Sequence, residues 1–300
     1  MLKHWRIPVD HVSTQERVAK GSFFHVYTAH LRDHEQSTLF CIKQLAPTHW
    51  ASEARIVDLF VAVHVCAELA HPKVVQFAGF AYSTLSDLAV VTEYMPNGDL
   101  ESLLRGHVQS GEQDESFQCK AQIALDVIEA VAYLHEFAQP ELHGRLRARS
   151  VLLGADLTAK LNNTDIHRPL TLDFLLSASE HDGAGWTAPE VCRAEPYLTC
   201  ADVYSFGVLL TELDTGARPY ERGVMNQLPE RPSNAEITRA VALGVVRPRP
   251  SMDCPLEIRQ LVDRCTHADP ATRPSASAVV QELRRLVSSR NRLPNTCYWV

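Results

Sequence analysis

Residues 142–153 read LHGRLRARSVLL. His143 stands second in the stretch, three arginines follow, and the apolar run Val151–Leu153 predicts a short strand. A loop that leads into a buried strand with a His at its head is a common place for chemistry. This one holds no carboxylate. Its meaning depends on what surrounds it.

Upstream, FQCKAQIALDVIEAVAYLHE (117–136) places Ile123, Val127, Val131 and Leu134 three or four residues apart, which predicts a helix with an apolar stripe. Downstream, ADVYSFGVLLTEL (201–213) is apolar all round and predicts a buried helix. RPSASAVVQELRRLV (273–287) predicts another, starting after Pro274. Before residue 96 the pattern is different. VAKGSFFHVYTAHL, STLFCIKQL and LAVVTEY read as strands, and IVDLFVAVHVCAELA (56–70) as the one helix among them. MPNGDL (95–100) breaks the pattern with Pro96, Asn97 and Gly98, as a hinge would. The expected class is α+β and bilobal: a small β-rich lobe over 1–95, a large α-rich lobe over 96–290, and a short tail over 291–300. A cleft between two lobes is a common ligand site.

Bulk properties narrow the function. The 300 residues are 45% hydrophobic and carry a net charge of -7, which argues for a core-forming chain without general affinity for nucleic acid. No apolar run reaches membrane-spanning length, and MLKHWRIPVDHV lacks the apolar stretch of a secretory signal. The eight cysteines form no CxxC pair, so a zinc site or disulfide framework is not expected and a cytoplasmic setting is. Pro and Arg cluster at 247–250 in a loop between helices.

The ordered motifs resemble a eukaryotic protein kinase domain, and their wording is similar to the tyrosine-kinase-like group of serine/threonine kinases. FCIK (40–43) resembles the strand motif V-A-I-K, HPKVVQFAG (71–79) the turn and strand after the αC helix, VTEYMPNGDL the gatekeeper and hinge, and WTAPE (186–190) the A-P-E motif. ADVYSFGVLLTEL and HADPATRPSA resemble the two signatures of the helical lobe. The fit runs from about residue 12 to 288. It implies a nucleotide site of Gly21, Val26, Cys41, Lys43, Thr92, Glu93, Met95 and Leu152. In it Lys43 contacts phosphate, Thr92 is the gatekeeper, and Glu93 to Met95 offer backbone groups to adenine. It also implies a Glu190–Arg273 ion pair, an Asp202 that holds the catalytic-loop backbone, and an apolar stack of Cys66, Phe77, His143 and Thr164.

The departures from the pattern fall on the chemical positions. Against H-R-D-L-x-x-x-N, the loop has Gly144 for Arg, Arg145 for the catalytic Asp and Ser150 for the metal-binding Asn. NTD (163–165) stands where D-F-G belongs, so Asn163 replaces the metal-binding Asp. The glycine-rich loop maps onto Ala19, Gly21 and Phe24. The αC glutamate position maps onto Ala62. Asp58 lies one turn before that position, Glu68 almost two turns after it, and Glu53 is expected to precede the helix, so Lys43 should lack an αC carboxylate partner.

A guanidinium has no acceptor for a substrate proton, and losing a general base costs roughly 10²–10⁴ in rate. Ser and Asn are weak ligands for Mg²⁺, which favours carboxylates. The reading is a pseudokinase: no intact catalytic residue, no metal site, weak ATP binding with little Mg²⁺ dependence, and a protein partner such as an active kinase. The alternative is a weakly active or unorthodox ATP-dependent serine/threonine kinase served by displaced acids such as Asp165 or Asp173.

Overall fold

Five antiparallel strands come from the first hundred residues: β1 Val12–Lys20, β2 Phe24–Leu31, β3 Phe40–Leu45, β4 Phe77–Ala81 and β5 Ala89–Glu93. Their order in the sheet is β1-β2-β3-β5-β4. The computed structural model describes residues 2–20, 24–32, 38–47, 53–84, 87–110, 117–163, 183–196, 198–221, 223–224 and 227–290. Gly21, Thr164, Asp165, Asp173 and the tail at 291–300 lie outside them.

Period-two alternation explains β3, where Phe40 and Ile42 are buried and Cys41 and Lys43 are half-exposed. In β5, Ala89–Thr92 are all buried, as suits an interior strand covered on both faces. Strand β1 is an edge and exposes Thr14, Gln15 and Glu16, polar groups that discourage pairing with another chain.

Helix α1, Glu53–Glu68, places Leu59, Val63 and Cys66 at helical spacing. They join Leu45, Phe77, Leu88 and Val90 in one buried cluster. The expectation that Glu53 precedes this helix is corrected: Glu53 lies in its first turn. A carboxylate there meets the positive end of the helix dipole.

The N-terminal stretch completes this unit. Leu2–Trp5 forms a 3-10 turn, and the Trp5 ring lies 5.1 Å from Phe77. The Ile7 N–H donates to the Phe80 carbonyl at 2.8 Å, and Arg6 bridges to Phe80, so the chain extends the sheet beside β4. Gly79 permits the approach. Its φ is +149°, and a Cβ there would stand 2.5 Å from the Trp5 carbonyl oxygen.

The remaining chain supplies α2 Leu100–Ser110, α3 Phe117–His135, the hairpin β6 Val151–Leu153 with β7 Ala159–Leu161, and the short helix α4 Pro189–Cys192. After these come α5 Thr199–Thr215, α6 Asn234–Ala242, α7 Leu256–Cys265 and α8 Ala276–Arg290. Helix α5 is buried continuously from Ala201 to Leu213. Helix α6 opens on a capping box, with the Ser233 hydroxyl accepting the Glu236 N–H and the Glu236 carboxylate accepting the Ser233 N–H. The chain thus divides into two compact units, Met1–Pro96 with Asn162–Arg168, and Asn97–Leu161 with Pro169–Val300. This is the expected α+β class, with a β-sheet N-lobe and a helical C-lobe. One cysteine expectation is corrected. Cys119 in α3 is disulfide-bonded, while Cys41, Cys66, Cys192, Cys200, Cys254 and Cys265 are reduced thiols.

Candidate functional site

In the sheet unit, directly opposed residues on neighbouring strands share a face. Val26 opposes Lys43, and Cys41 opposes Thr92, so these four gather on one face of β2, β3 and β5. The Lys43 ammonium lies 4.7 Å from the centroid of the Phe24 ring. A cation over a ring face is attracted by the ring quadrupole, so the Phe at the third glycine position engages the lysine. Burial pushes the Cys41 thiol up, against the pull of the Lys43 charge and a hydrogen bond with Thr92. The hinge begins with an internal commitment. The Glu93 N–H donates to the Gln76 carbonyl at 3.0 Å, and its carboxylate accepts the Gln76 N–H at 2.6 Å. Met95 is buried, as is Ala62 in α1.

Asn163 belongs to this unit and is completely buried. Its Nδ2 donates to the Val75 carbonyl at 2.6 Å, and its own carbonyl accepts from the Cys66 Sγ at 3.5 Å. Its Oδ1 is buried without a hydrogen-bond partner. A carboxylate could not make this bond, because two acceptors would face each other.

In the helical unit, the loop at 142–150 hangs on Asp202 of α5. The Asp202 carboxylate accepts the His143 and Gly144 N–H groups, both at 3.0 Å, and meets His135 Nε2 at 3.0 Å. Burial works against its ionisation. Hydrogen bonds and charge from His135, with further help from His143 and the Gly144 amide, outweigh burial and hold its pKa below the usual value. Gly144 has φ +76°, the left-handed region that glycine occupies without strain. Arg145 is exposed, and its N–H donates to His143 Nδ1 at 3.2 Å. Ser150 is buried and closes the loop on itself. Its hydroxyl donates to the Arg147 carbonyl at 2.7 Å and accepts the Arg147 N–H at 3.0 Å. Leu152 lies half-buried in β6, opposite Lys160.

Glu190 and Arg273 form a bidentate pair at 2.6 and 2.8 Å, and neither side chain is more than 4% exposed. Arg273 also donates to the Cys200 and His267 carbonyls, so the charge is hydrogen-bonded on several sides. Of the apolar stack, Cys66 and Phe77 pack together in the sheet unit and His143 is buried in the helical one. Among the described residues, no group of His, Cys, Asp or Glu could hold a metal ion, and no helix is long and apolar enough to cross a membrane.

Sequence reading missed one organiser of this loop. Glu212 accepts both the Trp186 Nε1–H at 2.7 Å and the Ala148 N–H at 3.0 Å. It thereby ties the loop backbone to the segment that contains WTAPE. Arg147 lies 5.6 Å over the Trp186 ring, and the Ser205 hydroxyl donates to the Trp186 carbonyl. Burial pushes the Glu212 carboxyl up to about 7 despite these donors. The available signal was a second acid within a run read as apolar all round, since a buried acid needs partners.

A family profile described as protein tyrosine and serine/threonine kinase matches residues 12–283. The chain is 29% identical over 289 residues to serine/threonine-protein kinase CTR1 of Arabidopsis thaliana, covering 96% of this chain and 33% of that protein. It is 31% identical over 283 residues to serine/threonine-protein kinase TNNI3K of Homo sapiens, covering 93% and 32%. It is 27% identical over 303 residues to ephrin type-A receptor 3 of Danio rerio, covering 98% and 29%. The chain therefore spans about a third of the length of these curated relatives. With its sheet lobe, its helical lobe and a profile match across most of its length, the chain belongs to the protein tyrosine and serine/threonine kinase family.

Proposed function

We propose that this chain is a kinase-fold module that has lost phosphotransfer and works by binding, as a scaffold or as an allosteric partner of another protein. The observation that carries the reading is Asn163: the position that should offer a carboxylate to Mg²⁺ holds a buried amide bonded to the Val75 carbonyl. The loop agrees with it. Arg145 has no acceptor to offer as a base, and the Ser150 hydroxyl is spent on Arg147. Phosphoryl transfer depends on positioning and charge neutralisation, and both need those groups. The partner is a protein, with an active kinase as the first candidate. The free thiols favour a cytoplasmic setting, although the disulfide at Cys119 argues against it.

Nucleotide binding, in this reading, is weak and driven by the adenine end. Val26 and Cys41 supply apolar walls from the sheet unit, while the Phe24 ring engages the Lys43 ammonium that would otherwise meet phosphate. The test is a radiolabel assay of the purified chain with generic substrates, run beside Lys43→Met. The expected signal is equal in both. Robust incorporation that Lys43→Met abolishes overturns the proposal. It would instead support the second reading, a weak serine/threonine kinase, in line with the names of two relatives.

A further inference from the structure

The Pro-Arg cluster at 247–250 has no role in the loop at 142–150, yet it forms part of a cavity wall. A cavity of about 950 Å³ lies within the helical unit, between the end of α5, the segment at 217–227, the 244–252 loop and α7. Arg218, Arg247, Arg249 and Arg259 line it, and no lysine does. The chain as a whole carries -7, so four guanidiniums around one cavity run against its overall charge.

These arginines are largely fixed before any ligand arrives. Arg259 Nη2 donates to the Met252 and Cys254 carbonyls at 2.7 and 3.0 Å, while its Nε is buried with no hydrogen-bond partner. Arg247 Nη2 donates to the Thr266 carbonyl. Arg218 is paired with Glu101 and adds little net charge. Arg249 is exposed. Pro248 and Pro250 fix φ on either side of it, which limits the freedom its backbone loses on binding. Two carboxylates, Glu221 and Asp263, also line the cavity, and Glu221 lies 3.8 Å from Arg105.

We propose that this cavity binds an acidic segment of a partner protein that carries at least one large apolar residue. The volume exceeds what a small inorganic anion fills. The lining mixes guanidiniums with Pro219, Val245 and Met252, and Met252 is 86% exposed at the rim. Guanidiniums suit this role because their paired donors match a carboxylate or phosphate in a fork. The inference holds whether or not the chain transfers phosphate, because none of these residues belongs to the loop at 142–150 or to Asn163.

The test is fluorescence anisotropy with the whole chain and a labelled peptide that alternates Glu with Leu and Phe. A second peptide has Gln at each Glu. The Glu peptide should bind at least about tenfold more tightly, and the gap should shrink as salt rises. Arg249→Glu should weaken binding about tenfold with an unchanged melting point. Met252→Glu provides an independent second variant with the same expectation. Equal affinity for the two peptides, or no binding of the Glu peptide, would overturn the proposal. A third peptide with phosphoserine at the Glu positions separates the two sources of negative charge: tighter binding assigns the site to a phosphorylated segment, equal binding to a carboxylate-rich one.

Discussion

At Asn163 the replacement has acquired a structural task of its own. Restoring the family's Asp would place a carboxylate oxygen beside the Val75 carbonyl, at the 2.6 Å position the amide now occupies. The variant either ionises with two acceptors opposed or keeps a proton at the cost of a raised pKa. Asn163→Asp should therefore lose about 3 kcal/mol at neutral pH in chemical denaturation and gain no phosphotransfer. The deficit should shrink as pH falls, because a protonated Asp can donate to Val75. A variant as stable as the parent would remove the steric and electrostatic basis of this argument. Glu190 is the second such residue. Removing it leaves the Arg273 charge buried and uncompensated, so Glu190→Ala should cost about 3–5 kcal/mol and show a much lower melting temperature. An unchanged melting temperature would mean that the pair contributes nothing.

Helix α5 carries two carboxylates that respond to pH in opposite directions. Asp202 titrates below its usual value, so its contribution is lost only in strong acid. Glu212 is raised from 4.5 to about 7. Its folded state therefore binds the extra proton between those values, and stability falls as pH rises through that window. The span corresponds to about 3 kcal/mol. Relative to Glu212→Gln, the parent should lose stability between pH 5 and 8 and change little above that. Parallel melting curves across that range would contradict the assignment. At the other end of the chain, the Trp5 stretch and β4 meet at Gly79. Gly79→Ala would press a methyl group onto the Trp5 carbonyl at 2.5 Å in a left-handed backbone, so a loss of about 1–3 kcal/mol is expected. Thermal melting decides this, and Ile7→Ala made in the same background should partly offset the loss, because the Ile7 Cδ1 would lie 2.8 Å from the added methyl.

For the molecule as a whole, the weak nucleotide binding proposed above has a measurable consequence in ligand selectivity. Calorimetry should find ATP and adenosine within about tenfold of each other, a difference of ~1.4 kcal/mol, with or without Mg²⁺. A strong preference for Mg·ATP would indicate that a metal is held after all. The acidic-segment cavity lies in the helical unit alone, so its occupancy should leave this ratio unchanged. A shift in the ratio on adding the Glu peptide would reveal coupling between the two sites.

The family was legible in the chain because strand alternation, helical spacing and turn residues are local, and their order survives changes of side chain. The departures from the family's chemical pattern were legible too. That Arg145 cannot accept a proton follows from residue type, wherever the side chain sits. What the replaced residues do instead was not legible. Asn163 and Val75 are 88 residues apart, and Ala148 and Glu212 are 64 apart. The start of α1 at Glu53 was misjudged by residue counting, because helix ends depend on capping and packing more than on apolar period. Which acceptor a buried amide finds, and which two donors a buried carboxylate gathers, is decided when distant segments pack. A buried polar group must be satisfied by whatever the fold brings within about 3 Å, and no local pattern of residues records that choice.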